Sequence, residues 1–250
     1  MALKPARKRL DLLVVERGLA ESRQKAQAMI LAGEVQVNGA RAEKAGMLVS
    51  EDAAVEVRSR LQKYASRGGL KLEGALADFA INPAGRVCLD VGASTGGFTD
   101  CLLQHGASRV YAVDVTASQL AWKLQQDPRV VRIEKNAREL LPADFPEPVD
   151  LVVVDVSFIS AAKVLAPTAP LARPGADLLI LVKPQFELDR GGVGPGGIVR
   201  DPKLHQEAIA RVRRAAESIG LAVCGVQASR LAGAEGNQEF FLHARRKPLE

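Results

Sequence analysis

Four charged residues sit against apolar runs, where an unpaired charge is costly to bury. Asp155 follows Leu151–Val154, Lys183 follows Leu178–Val182, and Glu239 begins the apolar stretch after GAEGNQ. Lys71 comes just after Gly68 and Gly69, whose backbone freedom suits placing a side chain against something. Two amines and two carboxylates can align a weak nucleophile and manage its proton. Taken singly, each of the four also reads as an ordinary strand-end residue reaching solvent.

A second group of residues suits a small ligand. Asp90–Val91–Gly92–Ala93–Ser94–Thr95–Gly96–Gly97–Phe98 ends an apolar run and opens a helical pattern, as backbone loops that approach ligands do. Ser94 stands where a dinucleotide fingerprint would have its second glycine, and Asp90 would repel a pyrophosphate. A cationic or uncharged nucleoside fits better. Asp114, 22 residues beyond Gly92 and followed by Val115, can accept two ribose hydroxyls. Nicotinamide binding is the competing reading. A turn that serves only helix–strand packing is another, and it leaves Asp114 unexplained.

The elements that must position these residues alternate from Arg86 onward. VCLDVGA, RVYAVDV, VVRIEK, DLVVVDVSF and DLLILVKPQF read as strands. TGGFTDCLLQHG, ASQLAWKLQQ, SAAKVLAPTAPLA and the segment from Pro202 to Ile219 read as helices, the third partly broken. Continuous Val/Ile/Leu runs between helices predict an α/β, doubly wound, Rossmann-like parallel sheet covered on both faces. LAVCGVQAS and EFFLHAR have no helix between them and predict an antiparallel hairpin at the sheet edge. Ligands of such a sheet sit outside the carboxyl ends of its strands. Ahead of it, Leu72, Ala75, Leu76 and Phe79 mark one face of a helix that begins after Gly69.

The first quarter of the chain differs in charge and pattern. Residues 1–63 carry 12 Lys/Arg and 8 Asp/Glu, whereas residues 64–250 carry 22 and 21. That asymmetry points to a polyanionic partner for a small α+β amino-terminal module, with a solvated basic face as the plainer reading. Leu10, Leu13 and Val14 predict a short helix ending near Gly18. Ser22 caps a second helix with Ala26, Met29 and Ile30 buried, stopping at Gly33. Glu34–Val37 alternates ahead of the turn signal Asn38–Gly39, and Val49, Val55 and Val57 mark further short strands. Arg7, Lys8, Arg23 and Lys25 are the candidate nucleic-acid contacts. The expected division is a domain over 1–60, a linker over 61–66, and a second domain over 67–250.

Composition narrows the class of protein. A chain of 250 residues with 47% hydrophobic and 25% charged residues predicts a globular fold rather than disorder. No apolar run approaches the ~18 residues of a membrane span, and the amino terminus lacks a secretory pattern. Cys88, Cys101 and Cys224 have neither disulfide-framework nor zinc spacing. The expectation is a cytoplasmic protein that uses no metal and no membrane. Oligomeric state is left open, with a monomer compatible. His105, His205, His243 and the single Trp122 read as structural or surface residues, and glycines 191–197 as a loop.

Resemblances to known families sharpen this reading. SRxxAxxxIxxGxVxVNG, present as Ser22 through Gly39, resembles the S-four-type RNA-binding domain, which implies contact with folded RNA through phosphates and shape. The D-x-G-x-x-x-G-G turn with its strand-two acid resembles the S-adenosylmethionine site of class I methyltransferases. In order, Lys71, Asp155, Lys183 and Glu239 resemble the K-D-K-E tetrad of FtsJ-type ribose 2′-O-methyltransferases. With SRGGLKL, DVSFIS, LVKPQFE, GGIVRDP and GNQEFF also present, nearly the whole chain resembles the TlyA family, whose members often carry the label haemolysin. The resemblance implies methylation of cytidine ribose in 16S or 23S ribosomal RNA, with S-adenosylmethionine as cofactor and ribosomal RNA or subunits as partner. It makes Lys183 the group that receives or steers the hydroxyl proton, oriented by Lys71, Asp155 and Glu239. Pro195 departs from the basic residue common in relatives. A non-catalytic ribosome-assembly factor is the alternative, and a membrane-active haemolysin the remoter one.

Overall fold

Alternation, turn chemistry and helical period each act locally in the computed structural model, which describes residues 7–20, 22–31, 33–57, 63–233 and 236–248. The chain divides into two compact units, Met1–Gln62 and Lys63–Glu250.

The first unit runs β1 (Arg7–Arg9), α1 (Leu10–Glu16), α2 (Arg23–Leu31), β2 (Val35–Val37), β3 (Ala40–Arg41), β4 (Leu48–Ser50) and β5 (Val55–Val57). Leu10, Leu13 and Val14 on α1 and Ala26 and Ile30 on α2 form its core with Val35 and Val49, while Met29 is only partly buried. Ser22 Oγ accepts from Lys25 N at 3.2 Å, the expected cap of α2. Asn38 and Gly39 both adopt positive φ, 51° and 80°, as a two-residue hairpin turn between β2 and β3 requires. β5 pairs with β2 on its other edge. The pairing of β1 with β4 had no signal in the sequence, because three residues of Arg and Lys show no strand alternation.

The second unit runs α3 (Gly68–Asp78), β6 (Val87–Val91), α4 (Gly97–Gln104), β7 (Arg109–Asp114), α5 (Trp122–Gln125), β8 (Val130–Glu134), β9 (Val149–Val154), α6 (Ala162–Thr168), β10 (Ala172–Val182), α7 (Pro184–Glu187), α8 (Pro202–Ser218), β11 (Leu221–Ala228) and β12 (Phe240–Arg246). Its seven strands are ordered β11-β12-β10-β9-β6-β7-β8. Successive residues of the buried strands serve opposite faces. Leu178, Ile180 and Val182 join one core with α6 and α8, and Leu179 and Leu181 join another with α3 and α4. This is the two-sided cover that the unbroken apolar runs predict.

The expected antiparallel hairpin forms at the sheet edge, with β11 outermost and β12 antiparallel to both β11 and β10. One helix differs from the sequence expectation. The expected helix over ASQLAWKLQQ is a 3-10 turn at Ala117–Gln119 followed by the single turn α5, with Ala121 N bonded to Thr95 O at 3.1 Å. That bond ties the segment to the glycine turn. Of the expected linker, residues 61 and 62 lie outside the described residues, while Tyr64 is buried in the core of the second unit. Gly69 permits this, since a Cβ there would collide with the Tyr64 ring.

An ion cluster fastens the end of the sheet remote from the strand carboxyl termini. Buried Asp177 on β10 accepts from His243 Nε2 at 2.9 Å and Arg245 Nε at 2.8 Å on β12, and from Arg86 Nη1 at 2.8 Å just before β6. Burial opposes the charged form, but these three donors hold the carboxyl well below the usual range. Removing the charge leaves buried His243 and two partly exposed arginines facing a neutral amide, so Asp177→Asn is expected to cost roughly 1.5–3 kcal/mol of stability, measured by urea unfolding at neutral pH. With the folded value depressed, this stabilisation is complete above the ordinary value of 3.8 and is lost as pH falls below it. The variant should therefore be less acid-sensitive than the parent protein. A change under 1 kcal/mol would mean the cluster is held by neighbouring packing instead.

Candidate functional site

β9, β10 and β12 bring three of the four candidate catalytic residues to one edge of the sheet. Val182 is registered with Phe240, so Lys183 and Glu239 occupy the next rung on neighbouring strands. Ile180 is registered with Val154, which places Asp155 one strand further along at the same edge. Lys71 arrives from α3, on whose buried side it lies with Leu72 and Ala75. Lys71 Nζ is 2.5 Å from Glu239 Oε2, and Lys183 Nζ is 2.5 Å from Asp155 Oδ1. Lys71, Lys183 and Glu239 are buried and Asp155 half-buried. The four residues form two neighbouring ion pairs, one between the ends of β9 and β10 and one joining α3 to the start of β12, each charge compensated as burial demands.

Sequence reasoning missed Ser157. Lys183 Nζ donates to Ser157 Oγ at 2.8 Å, beside its ion pair with Asp155. An ammonium has three donors, so the hydroxyl leaves donor capacity for another acceptor. Pro184 opens α7 directly after Lys183, ends β10 and fixes the backbone on which the amine stands. The signal was present in DVSFIS, where Ser157 follows Asp155 by two residues, but only the fold brings it to a lysine 26 positions away.

Beside this edge lies a cavity of roughly 380 Å³ lined by Gly92, Ser94, Asp114, Val115, Asn136 and Asp155, among others. Its size falls within the usual span of small-molecule sites. Asp114 closes β7. Its Oδ2 accepts from Ser94 N at 2.9 Å and its Oδ1 from Thr116 N at 3.0 Å. Each oxygen keeps a further acceptor position for a ligand hydroxyl. Gly92 has φ 88°, and a Cβ there would collide with the Asp155 carbonyl, so glycine lets the turn after β6 pass close to the end of β9. Phe158 also lines the cavity with its side chain 92% exposed and φ 65°, a strained conformation for a non-glycine residue. Its ring lies 5.5 Å from that of Phe186.

The other expected cofactor residues are placed differently. Asp90 is fully buried and accepts from Thr99 Oγ1 at 2.7 Å, away from the cavity wall. Burial pushes its carboxyl up to about 7; the charges of Asp155 and Asp114 add to this, and the Thr99 bond opposes it. Gly96 and Gly97 serve packing: a Cβ would strike Leu124 at the first and Ser66 at the second. Phe98 is buried with its ring 6.1 Å from Phe241. Thr95 is exposed, outside the cavity wall, and its carbonyl holds Ala121. The glycine run therefore splits, with Gly92 and Ser94 at the cavity and Gly96 and Gly97 seating α4.

The candidate nucleic-acid residues fall on β1 and α2 of the first unit. Arg7 and Lys25 are exposed. Lys8 is held by Glu16 at 2.6 Å and lies 3.7 Å from Glu51, so its charge is largely answered within the unit. Arg23 is bonded through Nε to Asp11 and is otherwise open. Among the described residues no group of His, Cys, Asp and Glu could hold a metal ion, and no helix is long and apolar enough to cross a membrane.

Comparison with known proteins follows the same division of the chain. Residues 64–246 match the FtsJ-like methyltransferase family and residues 8–55 match the S4 domain. Over 241 residues the chain is 50% identical to the 16S/23S rRNA (cytidine-2′-O)-methyltransferase TlyA of Mycobacterium tuberculosis, spanning 96% of this chain and 90% of that protein. It is 43% identical over 241 residues to hemolysin A of Brachyspira hyodysenteriae, spanning 94% and 98%. A solved structure of a candidate hemolysin from Streptococcus thermophilus has a TM-score of 0.75 and 40% identity, covering 98% of this chain and 90% of that one.

Proposed function

The chain belongs to the FtsJ-like methyltransferase family, joined to an S4 domain as in the TlyA enzymes, and on that premise we propose that it methylates a ribose 2′-hydroxyl of ribosomal RNA, with S-adenosylmethionine as donor and cytidine in 16S or 23S rRNA as target. The observation that carries this reading is the double position of Asp155, which lines the nucleoside-sized cavity and also pairs with Lys183. A donor in the cavity and an acceptor oxygen at the lysine would thus share one wall.

The cavity residues suit the proposed donor. Asp114 keeps acceptor positions for two ribose hydroxyls, Val115 and Ala137 offer apolar surface to a base, and Asp155 offers a carboxylate to a ligand that bears positive charge. When bound, S-adenosylmethionine supplies a methyl carbon already activated by its sulfonium. The chain's own residues do the rest. Lys183 Nζ, held between Asp155 and Ser157, would donate to the sugar oxygen and steer it as the ammonium, or receive that oxygen's proton once the amine has given one up to solvent. Lys71 and Glu239 hold the next rung, limiting how the ribose can sit. Alignment within ~3–3.5 Å of the methyl carbon accounts for much of the acceleration.

The reading is tested by incubating the full chain with tritiated donor and separated 30S and 50S subunits, then mapping ribose methylation. Label at a cytidine 2′-oxygen is expected. Label confined to base atoms, or none on either subunit, overturns it. For the S4 domain, exchanging Arg23 and Lys25 together for Glu should weaken rRNA affinity by about 10- to 100-fold. The same change should flatten the salt dependence by roughly 0.7–0.9 of log-slope per lost phosphate contact. Filter binding across a KCl series measures both, and an unchanged slope counts against this face.

A further inference from the structure

In the first unit one acid is buried among the bases. Asp11 is fully buried on α1, and four donors converge on its two oxygens. Arg9 Nε reaches Oδ1 at 3.0 Å, while Arg9 Nη2 at 2.9 Å, Arg23 Nε at 2.9 Å and Gln27 Nε2 at 2.8 Å reach Oδ2. A carboxylate has about four acceptor positions, so this one is filled from within its own unit. The Arg9 bonds, helped by Gln27 and Arg23 and opposed by burial, hold the carboxyl well below its usual range.

The arginines, by contrast, remain partly open. The Arg9 and Arg23 side chains are 42% and 52% exposed. Arg23 uses only Nε, and among the described residues no hydrogen bond is made by either of its Nη nitrogens. Gly46 leaves space for the other guanidinium, since a Cβ there would stand 3.2 Å from Arg9 Nη1. The two arginines come from β1 and α2, so one acid brings together cations 14 residues apart in sequence. Their net charge with Asp11 is +1, which suits a single anionic group.

We infer that Asp11 is a positioning residue for RNA: it holds the Arg9 and Arg23 guanidinia as a prearranged pair for a backbone phosphate. The inference rests on the RNA-binding reading of this unit. A free arginine loses much side-chain freedom when it docks on a phosphate, and one already tethered through Nε loses less. The outward N–H groups then meet phosphate oxygens in the planar, paired geometry that guanidinium favours. A buried ion pair is weak support for stability by itself, so retaining a costly acid beneath two exposed arginines is better explained by their placement.

The two explanations differ in sign. If charge alone governs binding, Asp11→Asn adds one positive charge and tightens RNA binding. If placement governs, the same change loosens it. We expect Asp11→Asn in the full chain to weaken binding to deproteinised 16S and 23S rRNA by roughly tenfold, the scale of two long side chains set free. The KM for rRNA should rise while kcat at saturating RNA stays unchanged. In an Arg9→Gln/Arg23→Gln background the Asp11 change should have no further effect. Should Asp11→Asn unfold the unit, Arg23→Lys serves instead, because it keeps the charge at a half-exposed site and loses the planar tether. Weakening close to that of Arg23→Gln supports placement, and parent-like affinity overturns it. Tighter or unchanged binding by a folded Asp11→Asn also overturns the inference, provided Arg9→Gln/Arg23→Gln is weakened. If that double variant binds like the parent, the RNA reading of this face fails, a separate outcome.

Discussion

Replacing Lys183 with alanine is expected to lower kcat for methyl transfer by about 10²–10⁴-fold while leaving the fold and rRNA affinity close to those of the parent. The amine stands at the meeting point of Asp155, Ser157 and the cavity edge, and among the described residues no second amine pairs with Asp155. Its loss leaves Asp155 without a cation. That carboxylate retains 21% side-chain exposure, so water can take over and the domain need not unfold. Lys183→Arg separates two roles. Arginine keeps the positive charge but cannot give up its proton near neutrality. Comparable loss in both variants identifies proton uptake as the essential act, whereas substantial activity in Lys183→Arg assigns the residue to charge and orientation. Single-turnover assays with tritiated donor and excess enzyme measure the chemical step directly. Turnover near the parent rate in Lys183→Ala would remove the residue from the mechanism.

Gly92→Ala is expected to have the second largest effect, through a different cause. Its φ of 88° already disfavours any L side chain, and the new Cβ would meet the backbone carbonyl of Asp155 rather than a yielding side-chain tip. Relief requires the end of β9 to move away from the turn after β6. That movement widens the cavity on one side and carries Asp155 away from Lys183 on the other. Donor binding and turnover should fall together, each by about 10²-fold or more, since misplacement on the scale of an ångström is enough. Calorimetric titration with S-adenosylhomocysteine measures the binding loss, and circular dichroism confirms that the sheet remains. Parent-like affinity in a folded variant would show that the turn can yield without disturbing the cavity.

These two variants also separate what was legible in the residues from what was not. Gly92 and Asp114 could be picked out because strand-end glycines and acids follow directly from an apolar run, a local pattern. No local pattern divides the glycine turn. Gly92 and Gly96 look alike in the string, yet the first passes the Asp155 carbonyl and the second sits against Leu120 and Leu124. Asp90 was expected to face the ligand, but its strand position turns it inward to Thr99 on α4. Strand alternation can assign a residue to one face or the other. It cannot tell which face holds a helix and which edge holds a ligand.

Local order was written in short-range chemistry. The caps, the Asn38–Gly39 turn, the helical stripes of α1 and α3 and the doubly covered strands all depend on residues within a few positions of one another, where backbone sterics and burial of an apolar face act alone. So did the identity of the four charged residues, since a charge beside a buried run must be explained wherever the chain goes. Their partners were not so determined. Lys71 meets Glu239 across 168 positions and Lys183 meets Asp155 across 28, the first pairing created by laying α3 over the sheet beside the start of β12 and the second by laying β10 alongside β9. Arg23 reaches the local Arg9–Asp11 pair in the same way, by the packing of α2 beside α1. Which groups ionise together, which glycine admits a ligand and which arginine is held ready are properties of distance in space. Only the folded chain sets those distances, because the energy of a charge pair depends on separation and burial rather than on order along the backbone.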